Sequence, residues 1–379
     1  MNDTLKMILK RVCRVFVFFL IAALLFHLFV AERNVYWQEP DLSFSSMSTW
    51  VSFRFYTSDK RSVAPSAMLV QKAFREIDER CSLFRPDSEL SKLNASAYEE
   101  PFVCSPELWD LLCLARKLYF LTDGAFDITV EPLMELWGFR GKIDRSPAEL
   151  EIAERKKCTG MEKVVFDETK HTVRFTVKGM KLDLGGIAKG AALDLAAGRA
   201  LHTRLVGDKL ADDVSFAERF DAWFRRRLVT LDCGYINVGG NVITLPQPPP
   251  NEKSYRIGIK NPLHPAHPPC AFARMLNESV STSGSYERFR MIDGKKCSHI
   301  IDPATGRPVE NNMLSVTVIT KSATVADALS TAIFIRGIEL AEKIKKEYPD
   351  LRVLAFYYDK EGKICSSQIG NWEEVRTDL

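Results

Sequence analysis

Apolar and polar positions alternate from residue 47 to residue 56, the period of two expected of a half-buried strand. The spacing then changes. Met68, Leu69, Ala73, Phe74 and Ile77 recur at helical intervals behind Pro65, which predicts a helix reaching about Cys81. Ser105 is placed to cap a second helix that starts at Pro106 and carries Leu108, Leu111, Leu112, Ala115 and Leu118 on one side. Residues 163–167 and 172–177 flank the polar stretch 168–171 and predict a hairpin. A short strand over residues 182–184 should end in a glycine-rich turn, followed by a helix over about residues 188–201. The charged, amphipathic stretch 202–227 reads as an inserted helical excursion. Residues 235–238 and 242–245 bracket the turn Gly239-Gly240, while 314–320 alternate and lead into a helix over 323–336, stopped by Gly337. Prolines at 246–250 and 262–269 make those segments loops, because proline lacks the donor that a ladder needs.

Helices and strands mix without a βαβ rhythm or a solenoid repeat, which predicts an α+β fold. The expected organisation is one large domain over residues 46–379, with an insertion near 201–229. The N-terminus changes this picture. Lys6, Lys10, Arg11 and Arg14 precede an apolar run over residues 15–31 that only His27 interrupts. The run is near the lower length limit for a bilayer span, and Phe29 and Ala31 make a poor cleavage site. The expectation is therefore a cytoplasmic basic segment (1–14), a transmembrane signal-anchor (15–31) and a tether (32–45). That order predicts a single-pass inner-membrane protein whose folded domain lies on the periplasmic side. A net charge of +3 with scattered basic residues gives no footprint for nucleic acid. The nine cysteines show no spacing of a zinc site or a redox dithiol, and most are expected to be small core residues.

Candidate chemistry sits in short segments. Asp183-Leu184-Gly185-Gly186-Ile187-Ala188-Lys189-Gly190 turns tightly into a helix, exposing backbone amides and a lysine to which a phosphate could bind. It is neither a Walker loop nor a dinucleotide fingerprint, and a plain turn with a solvated lysine fits it as well. Asp327 and Thr331 share one helix face and offer hard oxygen donors suited to Mg²⁺ on substrate phosphates. Asp327 can equally serve the helix dipole. His299 precedes the turn Asp302-Pro303-Ala304-Thr305-Gly306, where it can be catalytic or structural. Thr122-Asp123-Gly124-Ala125-Phe126-Asp127, followed by Leu136-Trp137-Gly138-Phe139, can line a flat aromatic ligand or end a helix over a core tryptophan. The charged stretch 149–157 reads as one solvated helix face.

Together these segments, with Phe84-Arg85-Pro86-Asp87-Ser88-Glu89-Leu90, Gly239-Gly240-Asn241 and Ser283-Gly284 in the same order, resemble the ApbE-type FAD:protein FMN transferases. The likeness runs from about Met47 to about Gly337. It implies an enzyme that binds FAD as substrate, uses Mg²⁺ and attaches FMN through a phosphoester to a threonine or serine of an acceptor flavoprotein, such as a membrane redox-complex subunit. AMP is released. By motif position the resemblance makes Asp327, Thr331 and the Gly186 carbonyl metal ligands, and His299 the residue linked to catalysis. Met47, Phe84, Ala125, Phe126, Asp127, Asp183, Lys189 and Ile301 match cofactor contacts.

The sequence departs from the family pattern in places. Ser48 stands where glycine is frequent, Phe84 where a tyrosine is common, and Ser285 where many members carry an acid. Two alternatives stay open at this level: hydrolysis of FAD to FMN and AMP, and a membrane-tethered flavin-binding protein without catalysis.

Overall fold

The computed structural model describes residues 3–25, 36–37, 42–57, 59–141, 145–206, 208–224, 228–284 and 289–379. Its frame is a 9-stranded sheet. The strands are β1 (Tyr36–Trp37), β2 (Leu42–Ser46), β3 (Thr49–Thr57), β4 (Gly234–Val238), β5 (Asn241–Thr244), β6 (Ser279–Gly284), β7 (Met313–Thr320), β8 (Arg352–Tyr358) and β9 (Ile364–Ile369). All their pairings are antiparallel; β3 joins β4 across a long sequence gap, β5 pairs with β6, and β6 with β7.

Three helices cover one face: α1 (Val63–Cys81), α2 (Ala188–His202) and α3 (Ala323–Arg336). They bury Phe74, Ala192, Leu193, Leu329 and Ile333 against Phe53, Val316 and Val318 of the sheet in one continuous core. The opposite face carries the hairpin Tyr255–Ile259/Ala271–Met275, with Leu314, Ile319 and Phe356 beneath it. Strand β7 is consequently buried at every position, where alternation alone predicts one wet face. Of its polar side chains, Thr317 pairs with Thr282 across the sheet at 2.9 Å, while the buried Ser315 hydroxyl has no hydrogen-bond partner among the described residues.

The helix ends follow from local chemistry. Ser105 accepts a hydrogen bond from Leu108 N and starts the helix Pro106–Leu121. At α3, Ser322 accepts from Val325 N, and Asp194 of α2 accepts from the amides of Ala323 and Thr324 and from both flanking hydroxyls. α2 and α3 approach so closely that a Cβ at Gly190 would lie 2.3 Å from the Ala323 carbonyl oxygen. Only glycine fits there.

Three expectations are corrected. Residues 181–184 form no strand; Asn94 and the Ile128 carbonyl satisfy the backbone of Leu182 and Asp183 instead. The excursion is only partly helical: Phe216–Phe224 is a helix, but Arg204–Val206, Lys209–Leu210 and Leu228–Thr230 form a small sheet that plugs Leu205 and Val229 into the core.

The third correction concerns the anchor. Among the described residues no helix is long and apolar enough to cross a membrane. The helix Asp3–Leu25 spends its first turns on Asp3, Lys6, Lys10, Arg11 and Arg14, which leaves an apolar part from Val15 to Leu25. That part spans about 16 Å, half of a bilayer core of about 30 Å. Residues 26–31 of the apolar run lie outside the described residues, as do most of the tether and Ser285. The transmembrane helix is thereby overturned, and with it the membrane as a partner and the inner-membrane, periplasmic placement that rested on it.

Candidate functional site

Asp327 is the centre of the arrangement. It lies on α3, a helix buried almost all round, and is itself only 5% exposed. An ionised carboxylate in that position needs partners. It has four. Asn241 Nδ2 donates to Oδ1 at 2.8 Å, Ser281 Oγ donates to the same oxygen at 3.2 Å, and Gly190 N donates to Oδ2 at 3.1 Å. Lys189 Nζ stands 3.7 Å from Oδ1. Three chain segments far apart in sequence, the start of α2, the start of β5 and the middle of β6, thus converge on one carboxylate carried by the first turns of α3. Thr331, one turn further along α3, lies with its Oγ1 3.2 Å from Ser283 Oγ.

The segment leading into α2 joins a second cluster. Gly185 N donates to Asp183 Oδ1 at 2.7 Å, shaping the turn, and Asp183 N donates to the Ile128 carbonyl at 2.7 Å. Gly186 backs onto Phe126, whose ring would stand 3.4 Å from any Cβ there. Ala125, Phe126 and Asp127 are all buried. Asp127 Oδ1 accepts from the amide and hydroxyl of Thr129 at 2.8 and 2.7 Å, yet burial pushes its carboxyl up to about 6. Phe84, 74% exposed, presents its ring beneath the Arg140 guanidinium, 5.6 Å from the ring centroid.

Met47 and Ser48 form the tip of the β2–β3 hairpin, both with positive φ, at 50° and 59°. That is the left-handed pair a two-residue turn requires, normally supplied by Asn-Gly. The glycine common in the family at Ser48 has this physical reason. The hairpin lies beside the Gly239-Gly240 turn, since Gly239 N donates to the Trp50 carbonyl at 3.0 Å.

His299 is half-buried at the bend after the strand Lys295–Ser298, and Ile301 is buried next to it, paired with Pro308. Trp137 Nε1 donates to the Gly306 carbonyl at 2.8 Å, so the Asp302–Gly306 turn and the Trp137 segment are fastened together. All nine cysteines are free thiols; Cys81, Cys104, Cys233 and Cys270 are buried.

Metal binding also needs correction. Among the described residues no group of three or more His, Cys, Asp or Glu side chains could hold a metal ion. Asp327 is a single carboxylate among hydroxyls, an amide and a lysine, not part of a protein-built metal cage. Several residues of the site were not assigned from sequence. Asn241 stood in a motif without a role, Ser281 was one of several serines in β6, and Arg140 and Glu131 carried no signal separable from ordinary surface charge.

Comparison with known proteins decides the family. The ApbE family pattern matches residues 47–208 and 225–355. The chain belongs to the ApbE family. Among curated ApbE relatives, the FAD:protein FMN transferase of Escherichia coli K12 is 30% identical over 74% of this chain and 74% of its own length. That of Vibrio cholerae is 29% identical over 80% of this chain and 83% of its own. In solved structures, the ApbE protein of Thermotoga maritima superposes with a TM-score of 0.70 at 31% identity, covering 88% of this chain and 97% of that one. The flavin transferase ApbE of Vibrio cholerae gives 0.69 at 26%, with the same coverage. An α+β ApbE-like domain is therefore the architecture of this chain, in agreement with the sequence-based fold class.

Proposed function

We propose that this chain is an FAD:protein FMN transferase, moving FMN from FAD to a serine or threonine hydroxyl of an acceptor flavoprotein. The observation that carries this reading is the convergence of Lys189, Asn241, Ser281 and Gly190 on Asp327 beside the N-terminus of α2. A helix N-terminus with a lysine in its first turn favours a pyrophosphate.

In the reaction the acceptor oxygen bonds to the phosphorus of the FMN moiety. The bond from that phosphorus to the bridging oxygen breaks, and AMP leaves. The proton of the hydroxyl must go to a base, the role given to His299. Lys189 and the positive end of the α2 dipole would neutralise charge on the phosphate oxygens. Positioning and charge stabilisation are what phosphoryl-type transfer chiefly needs.

Mg²⁺ belongs to the proposal as a companion of the substrate phosphates. Asp327, Thr331 and the Gly186 carbonyl would hold it, and their hard oxygens suit it, the phosphates supplying donors that a protein cage otherwise would. When bound it would withdraw charge from the phosphate oxygens.

The test is a reaction of the purified chain with FAD, Mg²⁺ and an acceptor flavoprotein of known target threonine, its Thr→Ala variant serving as control. Covalent flavin fluorescence on a denaturing gel and AMP release are both read. One flavin on the intact acceptor, with matching AMP, is expected. Asp327→Ala should abolish transfer. His299→Asn should bind FAD as before and transfer roughly 10²–10⁴-fold more slowly, the usual contribution of general acid–base catalysis. AMP without acceptor labelling would replace transfer by hydrolysis.

A further inference from the structure

Glu131 opens the short helix Glu131–Leu136 and is only 3% exposed, although nothing in the reaction calls for a carboxylate there. Its partner is Arg140. The guanidinium donates from Nε to both Glu131 oxygens at 2.9 and 3.0 Å, and from Nη2 to Oε2 at 2.7 Å. The same Nη2 donates to Asp183 Oδ2 at 2.5 Å. Asp183 Oδ1 is already taken by Gly185 N, so Arg140 completes the seating of that carboxylate at the entrance to α2. Glu135, the other acid of the short helix, is held by Lys181 at 2.6 Å and does not compete for the guanidinium.

The plane of an arginine can satisfy two carboxylates and still offer a face to an aromatic ring. Arg140 does all three: its guanidinium carbon lies 5.6 Å from the centre of the Phe84 ring. Phe84 keeps 74% of its area exposed, so the ring face turned away from Arg140 is open to a flat ligand. Arg140 is thus the cation that the loop carrying Phe84 and the turn carrying Asp183 share.

We infer that Arg140 is a positioning residue of the flavin end of the cleft, held rigid by buried Glu131 so that it fixes the Asp183 carboxylate and backs the Phe84 ring as a platform for the isoalloxazine. This rests on the reading of Phe84 and Asp183 as FAD contacts. Glu131 serves as the counter-charge that keeps Arg140 in place, which accounts for a buried acid away from the reacting atoms. Arg140 donates at three of its nitrogen–oxygen contacts to one carboxylate, so it acts as a strut and not as a mobile arm.

The test uses the full chain and two ligands, FAD and ADP, with binding read by flavin fluorescence quenching and calorimetry. Arg140→Met should weaken FAD binding roughly tenfold or more, the scale of a lost cation–π contact with a lost charge-assisted hydrogen bond. ADP, which has no isoalloxazine, should bind within about twofold of the parent. Arg140→Lys keeps the charge but not the fork, and should recover part of the FAD affinity. Equal loss for FAD and ADP would make Arg140 a purely structural residue and overturn the inference, as would unchanged FAD affinity in Arg140→Met. A parent chain that binds no FAD would overturn the transferase reading as well. FMN transfer by a parent that loses no FAD affinity on Arg140→Met would overturn this inference alone.

Discussion

Asp127 shows at the residue scale how burial and hydrogen bonding compete. Thr129 donates twice to its carboxylate, which favours the charged form, yet burial outweighs both and lifts the group from 3.8 to about 6. The direction sets a pH dependence. Between about pH 4 and pH 6 the folded chain holds a proton at Asp127 that the unfolded chain has released, so stability falls as pH rises through that window. Across the whole window the loss amounts to about 3 kcal/mol. Asp127→Asn keeps the acceptor oxygen for Thr129 and has no proton to lose. Thermal melts from pH 4 to pH 7 should therefore show a shallower decline in the variant than in the parent. Equal slopes would mean that Asp127 is ionised throughout. Asp127 was assigned from the sequence to the cofactor site by its place in a motif. Its protonation could not be read there, since that depends on a pocket assembled from residues distant in the chain.

Between elements, the decisive joint is α2 against α3. Asp194 satisfies the amides of Ala323 and Thr324 at 2.8 and 2.9 Å, with Ser322 and Thr324 hydroxyls donating to the same carboxylate. One turn earlier on α2, Gly190 donates to Asp327. Asp194→Ala should cost about 0.5–2 kcal/mol, the range for a lost helix cap, and more if the freed hydroxyls stay buried without partners. Because the cap sets where α3 begins, the variant should also lose FMN transfer at a temperature where it is still folded. Unchanged transfer with lowered stability would confine Asp194 to a structural role. The helices themselves were legible because their signals are local. The Ser105-Pro106 cap, the apolar spacing of α1 and the Gly337 stop each act within a turn or two, and α3 spans residues 323–336 as its pattern predicts. The Asp194 cap was not legible, since it joins positions 128 or more residues apart. The short helix Glu89–Ser96 escaped for a different reason: its Ser88 cap lies among residues that read equally well as a loop.

Across the whole molecule, strand pairing is what a linear pattern conceals. Alternation identified β3 and β7 as strands, but nothing local tells Phe53 to lie opposite Ile236 or Thr317 opposite Thr282. Those pairings bring Asn241, Ser281 and Asp327 together, so the site emerges only with the sheet. The excursion after α2 offers the converse case, chain that the sheet does not need. Arg204–Val206 and Leu228–Thr230 already pair antiparallel, with Val206 opposite Leu228. The ApbE family pattern spans 47–208 and 225–355, passing over the residues between. The core contribution comes from Leu205 and Val229, on the paired strands, while Phe216 and Phe220 of the intervening helix are 75% and 53% exposed. An Asn-Gly turn is suited to closing two antiparallel strands at that separation. Replacing residues 207–227 by Asn-Gly should therefore give a chain that folds cooperatively. Its melting temperature should fall by no more than about 2 °C, the shift expected for roughly 1 kcal/mol in a domain of this size. FAD affinity should stay within about twofold, because the Asp327 cluster lies on elements the deletion leaves untouched. Aggregation or loss of cooperative melting would show that the excursion carries part of the core. A folded variant that no longer binds FAD would place it at the cofactor cleft instead.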